Sequence, residues 1–131
     1  SHFTKITDAG FSGFTYDCSC TTAGTYAYVY PNTYVFIHGT RLRRTALLKT
    51  ASSSFGKIYL CGAFWNAPLT GTDSKAGTLI HESSHFTRNG GTDDHVYGQS
   101  GAKNLAKNTP DKAVMNADNH EYFAENNPVL A

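Results

Sequence analysis

The segment His81-Glu82-Ser83-Ser84-His85 carries the most specific chemistry in this chain. Residues four apart on a helix stand one above the other, so the two imidazoles can converge on one metal ion. Glu82 lies one residue round from His81, close enough to reach a metal-bound water without being a ligand itself. Zinc is the ion this pattern suits. It lowers the pKa of its water towards neutrality, and a nearby carboxylate can take the proton as the water attacks a carbonyl. The expected chemistry is hydrolysis of a peptide bond, with one catalytic Zn2+ and Glu82 as general base. Ser83 and Ser84 read as helix fillers, because no base is arranged to make either a nucleophile.

A catalytic zinc needs a third protein ligand. A histidine six residues after His85 would complete one common pattern, but that position is Gly91. A glutamate from a following helix would complete another, but only Glu121 and Glu125 follow, and both are distant. The loop from Gly91 to Gly98 offers Asp93, Asp94 and His95. Spacing leaves all three open.

These residues need elements to position them. Asp73 or Thr72 can cap a helix from about Ser74 to Thr87, and Gly90-Gly91 stops it. Leu79, Ile80, Ser83 and Phe86 form its inward stripe. A short helix is expected near Ala102 to Lys107, and Pro110 opens a last one that reaches about Glu125. Asp118 and Glu121 share a face of that last helix, whereas His120 points away from it and reads as structural. The first half reads as strands and turns, with strands over Thr25–Tyr30, Thr33–His38 and Lys57–Cys61. Arg41, Arg43 and Arg44 read as a solvated loop. Strands first and helices after make the fold class α+β.

Length and composition bound the rest. At 131 residues the chain is one domain, residues 1–131, with room for a single core. Its formal net charge of +1 excludes the broad basic footprint of a nucleic-acid binder. Aromatics at 13% are too rich for a disordered chain, and no apolar run is long enough to span a bilayer. Cys18 and Cys20 are too close to pair comfortably, so one disulfide from Cys61 to either leaves a thiol over. Low charge, many small polar residues and this cysteine usage point to a secreted protein. No internal repeats or low-complexity tracts interrupt the chain, and a monomer is expected.

His81 to His85 followed by Gly91-Thr92-x-Asp94-x-x-Tyr97-Gly98 resembles the signature of the aspzincins, the deuterolysin family of fungal metalloendopeptidases. Within that family the chain is most similar to the mushroom peptidyl-Lys branch. The similar stretches are Asp17-Cys18-x-Cys20, Ala27 to Pro31, Tyr59 to Trp65 and nearly everything from Gly71 to Pro128. The resemblance implies a zincin-like fold, a small antiparallel sheet followed by the zinc-binding helix and C-terminal helices. It implies His81, His85 and Asp94 as zinc ligands, with Glu82 as base and then proton donor to the leaving amine. Tyr97 would stabilise the oxyanion. Asp118 would select lysine on the carboxyl side of the cut bond, with Glu121 as helper. Asp93 and His95 are then exposed or supporting residues. The strand over Lys57 to Leu60 would offer its edge to an extended substrate, and Gly62-Ala63-Phe64-Trp65 would line the cleft unless Trp65 is core.

Two departures from the family stand out. The family carries a helical region ahead of what is Ser1 here, and by resemblance that region supplies a partner for Cys18. The implied bond here is Cys20–Cys61, with Cys18 unpaired. Residues 34–53 read as a loop insertion, which costs little loop entropy. The function expected is thus a secreted zinc endopeptidase cutting before lysine. A broader specificity and a zinc-binding but non-catalytic fragment are the alternatives.

Overall fold

A computed structural model of the chain describes residues 1–31 and 55–126, together with the backbone of two short strands at Phe36–Ile37 and Thr40–Arg41. Most of the expected insertion at 34–53, including Arg43 and Arg44, lies outside the described residues. The elements in chain order are α1 (His2–Ala9), a 3-10 turn (Phe11–Gly13), β1 (Thr15–Asp17), β2 (Ala27–Tyr28), β3 (Phe36–Ile37), β4 (Thr40–Arg41) and β5 (Lys57–Leu60). Then come α2 (Gly62–Asn66), α3 (Lys75–His85), α4 (Gln99–Asn108), α5 (Pro110–Ala113) and α6 (Ala117–Glu125). The class is α+β. No helix among the described residues is long and apolar enough to cross a membrane.

The sheet runs β1-β5-β2, and it is mixed where a purely antiparallel one was expected. β5 pairs antiparallel with β2 but parallel with β1, in the register Thr15–Lys57 to Asp17–Tyr59. A parallel pair needs a long crossover, which the chain between Asp17 and Lys57 supplies. β3 and β4 pair separately with each other.

β5 shows the period of two that a half-buried strand requires. Ile58 and Leu60 are buried, whereas Lys57 and Tyr59 face the other side. On the outer face Tyr28 stacks on its cross-strand partner Tyr59, with ring centroids 4.6 Å apart, and Lys57 pairs with Asp17 at 3.0 Å. On the inner face Ile58 and Leu60 join Phe14, Phe64 and Phe86 in one cluster. Phe86 is fully buried and meets the rings of Phe14 and Phe55 at 5.8 and 5.1 Å. The core therefore lies between the sheet and the end of α3, and it fixes where that helix finishes.

Several expected boundaries move. Ser74, not Asp73 or Thr72, caps α3, its hydroxyl accepting the Gly77 N–H at 2.9 Å. Asp73 instead sits at φ 52, off the cap geometry. α3 ends at His85 because the Phe86 carbonyl collects the N–H groups of Asn89, Gly90 and Gly91. The single last helix is two, α5 and α6, separated by an extended Asn116. The first half also contains a helix, α1, capped by Ser1 and holding Ile6 buried. Cys20 and Cys61 are joined in a disulfide, and Cys18 is free and exposed.

Truncating Phe86 removes the ring that ties sheet to helix. Phe86→Ala should lower the unfolding free energy by about 3–5 kcal/mol, read from urea unfolding curves. A loss below about 1 kcal/mol would show that the ring is dispensable to the core.

Candidate functional site

His81 and His85 leave α3 on the same side, one turn apart, and their rings meet edge to face at 5.0 Å. Nδ1 of each ring faces protein groups, which leaves Nε2 to face the cleft. His85 Nδ1 lies 2.9 Å from the Thr92 carbonyl, and a carbonyl can only accept, so the proton is on Nδ1. His81 Nδ1 faces two carboxylates, Asp118 Oδ1 at 2.8 Å and Glu121 Oε2 at 3.2 Å. Neither gives it a well-aligned hydrogen bond, so these contacts act through charge.

The loop 91–98 brings the third group. It is zipped to the α5–α6 junction, with Asp93 N–H donating to Met115 O and Ala117 N–H to Asp93 O. Fully buried Asn116 completes the seam: its Oδ1 accepts from the N–H groups of His95 and Val96, and its Nδ2 donates to Val96 O. Thr92 is anchored from the other side, its hydroxyl 2.6 Å from that of Ser84. Held this way, the loop turns Asp94 towards both histidines. Asp94 Oδ1 stands 3.2 Å from His81 Nε2 and 3.4 Å from His85 Nε2. Spacing had left Asp93 and His95 open as well. Asp93 spends its carboxylate on the Asp94 N–H and His95 is exposed, so neither joins the group.

Donors about 2.0–2.2 Å from a tetrahedral zinc stand roughly 3.3–3.6 Å apart; the Asp94–His85 spacing of 3.4 Å falls in that range and the Asp94–His81 spacing of 3.2 Å lies just below it. Two imidazole nitrogens and one carboxylate oxygen are also the donor chemistry of a catalytic zinc. The charge balance agrees: Glu82, Asp94, Asp118 and Glu121 crowd two imidazoles, a surplus that a divalent cation offsets. The residues fit the metal.

Electrostatics around the group follow from this crowding. Burial resists a charge on His81, but Asp118, Asp94 and Glu121 outweigh it and raise its pKa to about 12. Burial also pushes Asp94 up, and its contacts with His81, His85 and Tyr97 more than reverse that, holding it well below the usual carboxylate range. Burial raises Glu82 to about 7, against the pull of the two histidines. Tyr97 is exposed, and its hydroxyl donates to Asp94 Oδ2 at 2.8 Å.

All of these groups open on one cleft of about 790 Å³. Its opposite wall is the segment Gly24–Val29, which contains β2. This corrects two expectations. β5 is the central strand, paired on both sides, so the sheet edge at the cleft belongs to β2. Gly62-Ala63-Phe64-Trp65 forms α2 away from the cleft, with Phe64 in the core and Trp65 half exposed. Asp118 and Glu121 line the cleft floor, though both are almost fully buried, and Asp118 Oδ2 also accepts the Gly98 N–H. His120 lies behind them, stacked on His2.

β2 falls within the strand expected over Thr25–Tyr30, and Thr92 within the family signature, but Asn116 had no distinctive signal in the sequence. An asparagine inside one expected helix reads as a surface residue, and its loop partners lie twenty or more positions away. Asn116→Ala would orphan the His95 and Val96 N–H groups and the Val96 carbonyl, at about 1–3 kcal/mol for each that stays buried. The expected outcome is a loss of at least about 3 kcal/mol in stability. Amide exchange at His95 and Val96 should accelerate more than elsewhere; unchanged protection there would refute the role given to Asn116.

Comparison with known proteins places the chain in a family. Residues 38–125 match the aspzincin M35 family model, described as lysine-specific metallo-endopeptidase. The chain is 59% identical over 127 residues to a peptidyl-Lys metalloendopeptidase of Grifola frondosa, covering 97% of this chain and 30% of the relative. It is 57% identical over 131 residues to one of Pleurotus ostreatus, covering all of this chain and 66% of the relative. The fold superposes on a solved zinc peptidase from Grifola frondosa with a TM-score of 0.81 at 58% identity, over 99% of this chain and 67% of that one. The chain thus spans between 30% and 67% of these relatives' length, and it belongs to the aspzincin M35 family of metallo-endopeptidases.

Proposed function

We propose that this chain is the catalytic part of a secreted zinc endopeptidase that cuts peptide bonds before lysine. The observation that carries the reading is the group of His81 Nε2, His85 Nε2 and Asp94 Oδ1 at ligand spacing, with the Glu82 carboxylate in the same cleft. Zinc held by these three residues supplies a Lewis acid that activates water and polarises a carbonyl. Glu82 would take a proton from the attacking water and pass it to the leaving amine. A carboxylate raised to about 7 is matched to both halves of that transfer. Tyr97 gives up its bond to Asp94 and donates its phenol hydrogen to the developing oxyanion. The β2 edge holds the substrate extended by main-chain hydrogen bonds.

Lysine selection rests on Asp118, with Glu121 beside it. Both line the cleft, and a carboxylate has about four acceptor positions, so Asp118 can hold His81 and Gly98 and still receive an ammonium group. The same commitments favour, as a second reading, an endopeptidase of broader choice. Secretion is supported by the Cys20–Cys61 disulfide, which persists in an oxidising compartment. The substrates are proteins and peptides, and neither nucleic acid nor membrane enters the reading.

The test is to incubate folded protein with an unstructured protein, with and without a zinc chelator, and map the new termini. Chelator-sensitive cuts with lysine as the new amino terminus are expected. Scattered cuts would remove the lysine preference, and a zinc-loaded, folded sample that cuts nothing would favour a non-catalytic fragment. Glu82→Gln should lose at least about 100-fold in kcat while binding zinc as before; full activity would end the mechanism. Asp118→Asn should narrow the kcat/KM ratio between lysine and other residues. That ratio does not depend on how much of the sample carries metal.

A further inference from the structure

α3 and α6 pack antiparallel, and the acidic residues of α6 grip α3 at two points two turns apart. Asp118 and Glu121, near the start of α6, meet His81. Glu125, at its end, meets the start of α3. Glu125 Oε1 accepts from both the backbone N–H and the hydroxyl of Ser74 at 2.8 Å, and Oε2 accepts the Asp73 N–H at 3.2 Å. The Ser74 hydroxyl in turn accepts the Gly77 N–H, so the carboxylate closes a relay over the first turn of the metal helix. From Ser74 to His81 is seven residues, and so is the step from Asp118 to Glu125. The two grips are in register.

Gly77 shows how tightly the spacing is set. A Cβ built there would clash with the Glu125 carboxylate and lie 3.0 Å from Glu121 Cγ. In the first turn of α3 this glycine leaves room for the side chains of Glu121 and Glu125 to lie against the helix backbone. Glu125 touches neither cleft nor ligands; it acts on the helix that carries them.

We propose that Glu125 is a positioning residue for the metal centre: by capping α3 it sets that helix along α6 so that His81 meets Asp118 and Glu121. This rests on reading His81, His85 and Asp94 as the zinc ligands. Loss of the Glu125 carboxylate leaves the Asp73 and Ser74 N–H groups unpaired and frees α3 to shift along its axis. His81 then moves off its carboxylates while the ligand set itself is intact. Loss of a partner that orients a ligand typically weakens metal binding about 10–100-fold.

The experiment measures the zinc dissociation constant of wild type, Glu125→Ala, Glu125→Gln and Gly77→Ala by competition with a chromophoric chelator, beside thermal unfolding of each metal-free protein. Wild type should bind one zinc. Glu125→Ala should bind about tenfold more weakly. Glu125→Gln, which keeps an acceptor for Ser74 but turns an amide towards Asp73, should fall between. Gly77→Ala should mimic Glu125→Ala despite the better helix propensity of alanine. Adding Glu125→Ala to Gly77→Ala should bring little further loss, because both act on one contact. Unchanged zinc affinity in folded Glu125→Ala, or in Glu125→Gln if the alanine variant does not fold, would overturn the proposal even where the melting temperature drops. A wild type that binds no zinc would instead overturn the ligand assignment on which it rests.

Discussion

A buried imidazole between carboxylates governs this structure. His81 Nδ1 lies against Asp118 and Glu121 on one side, and Nε2 lies against Asp94 on the other. Buried charges are stable only when paired, and stripping one partner from such a group costs about 3–5 kcal/mol. α6 therefore has to run beside α3, and the loop 91–98 has to fold back over it. Asn116 serves both demands: it breaks the last helical stretch so that α6 can start at the right height, and it ties the loop to that break. The sheet and the aromatic core then act as a base. They fix the end of α3 through Phe86 and offer β2 across the cleft.

How much of this was legible in the sequence depended on the range of the interaction. His81, Glu82 and His85 could be read from local spacing, because one turn of helix is enough to bring them together. The resemblance to the aspzincins, carried by those residues with Asp94, Tyr97 and Gly98, is met by the family match. Asp94 could not be chosen over Asp93 and His95 from spacing alone. The choice is made by hydrogen bonds to Asn116 and Met115, more than twenty residues on in the chain.

The misread elements fail for the same reason. α1 carries β-branched Thr4, Ile6 and Thr7, a weak helix composition, and it is held by contacts of His2 and Phe3 with His120 and Phe123 near the far end of the chain. Asp73 looks like a better cap than Ser74, but its own carboxylate is taken by the Tyr122 hydroxyl and its N–H by Glu125. β1 joins β5 in parallel, a pairing that no short-range turn announces. In each case a partner from the C-terminal helices, or from a distant strand, overrode the local preference.

The disulfide has a consequence for covalent topology. Cys20 and Cys61 are 41 residues apart, and the bond closes a ring that holds β2, β3, β4 and β5, along with all the chain between them. His81, His85 and Asp94 all lie outside that ring, on its C-terminal side. A backbone cut within it, at Lys49 for example, would produce two polypeptides that stay linked through sulfur. The wall of the cleft and α3 would remain parts of one covalent body. The ring thus lets the chain carry a nick in this stretch without losing a piece.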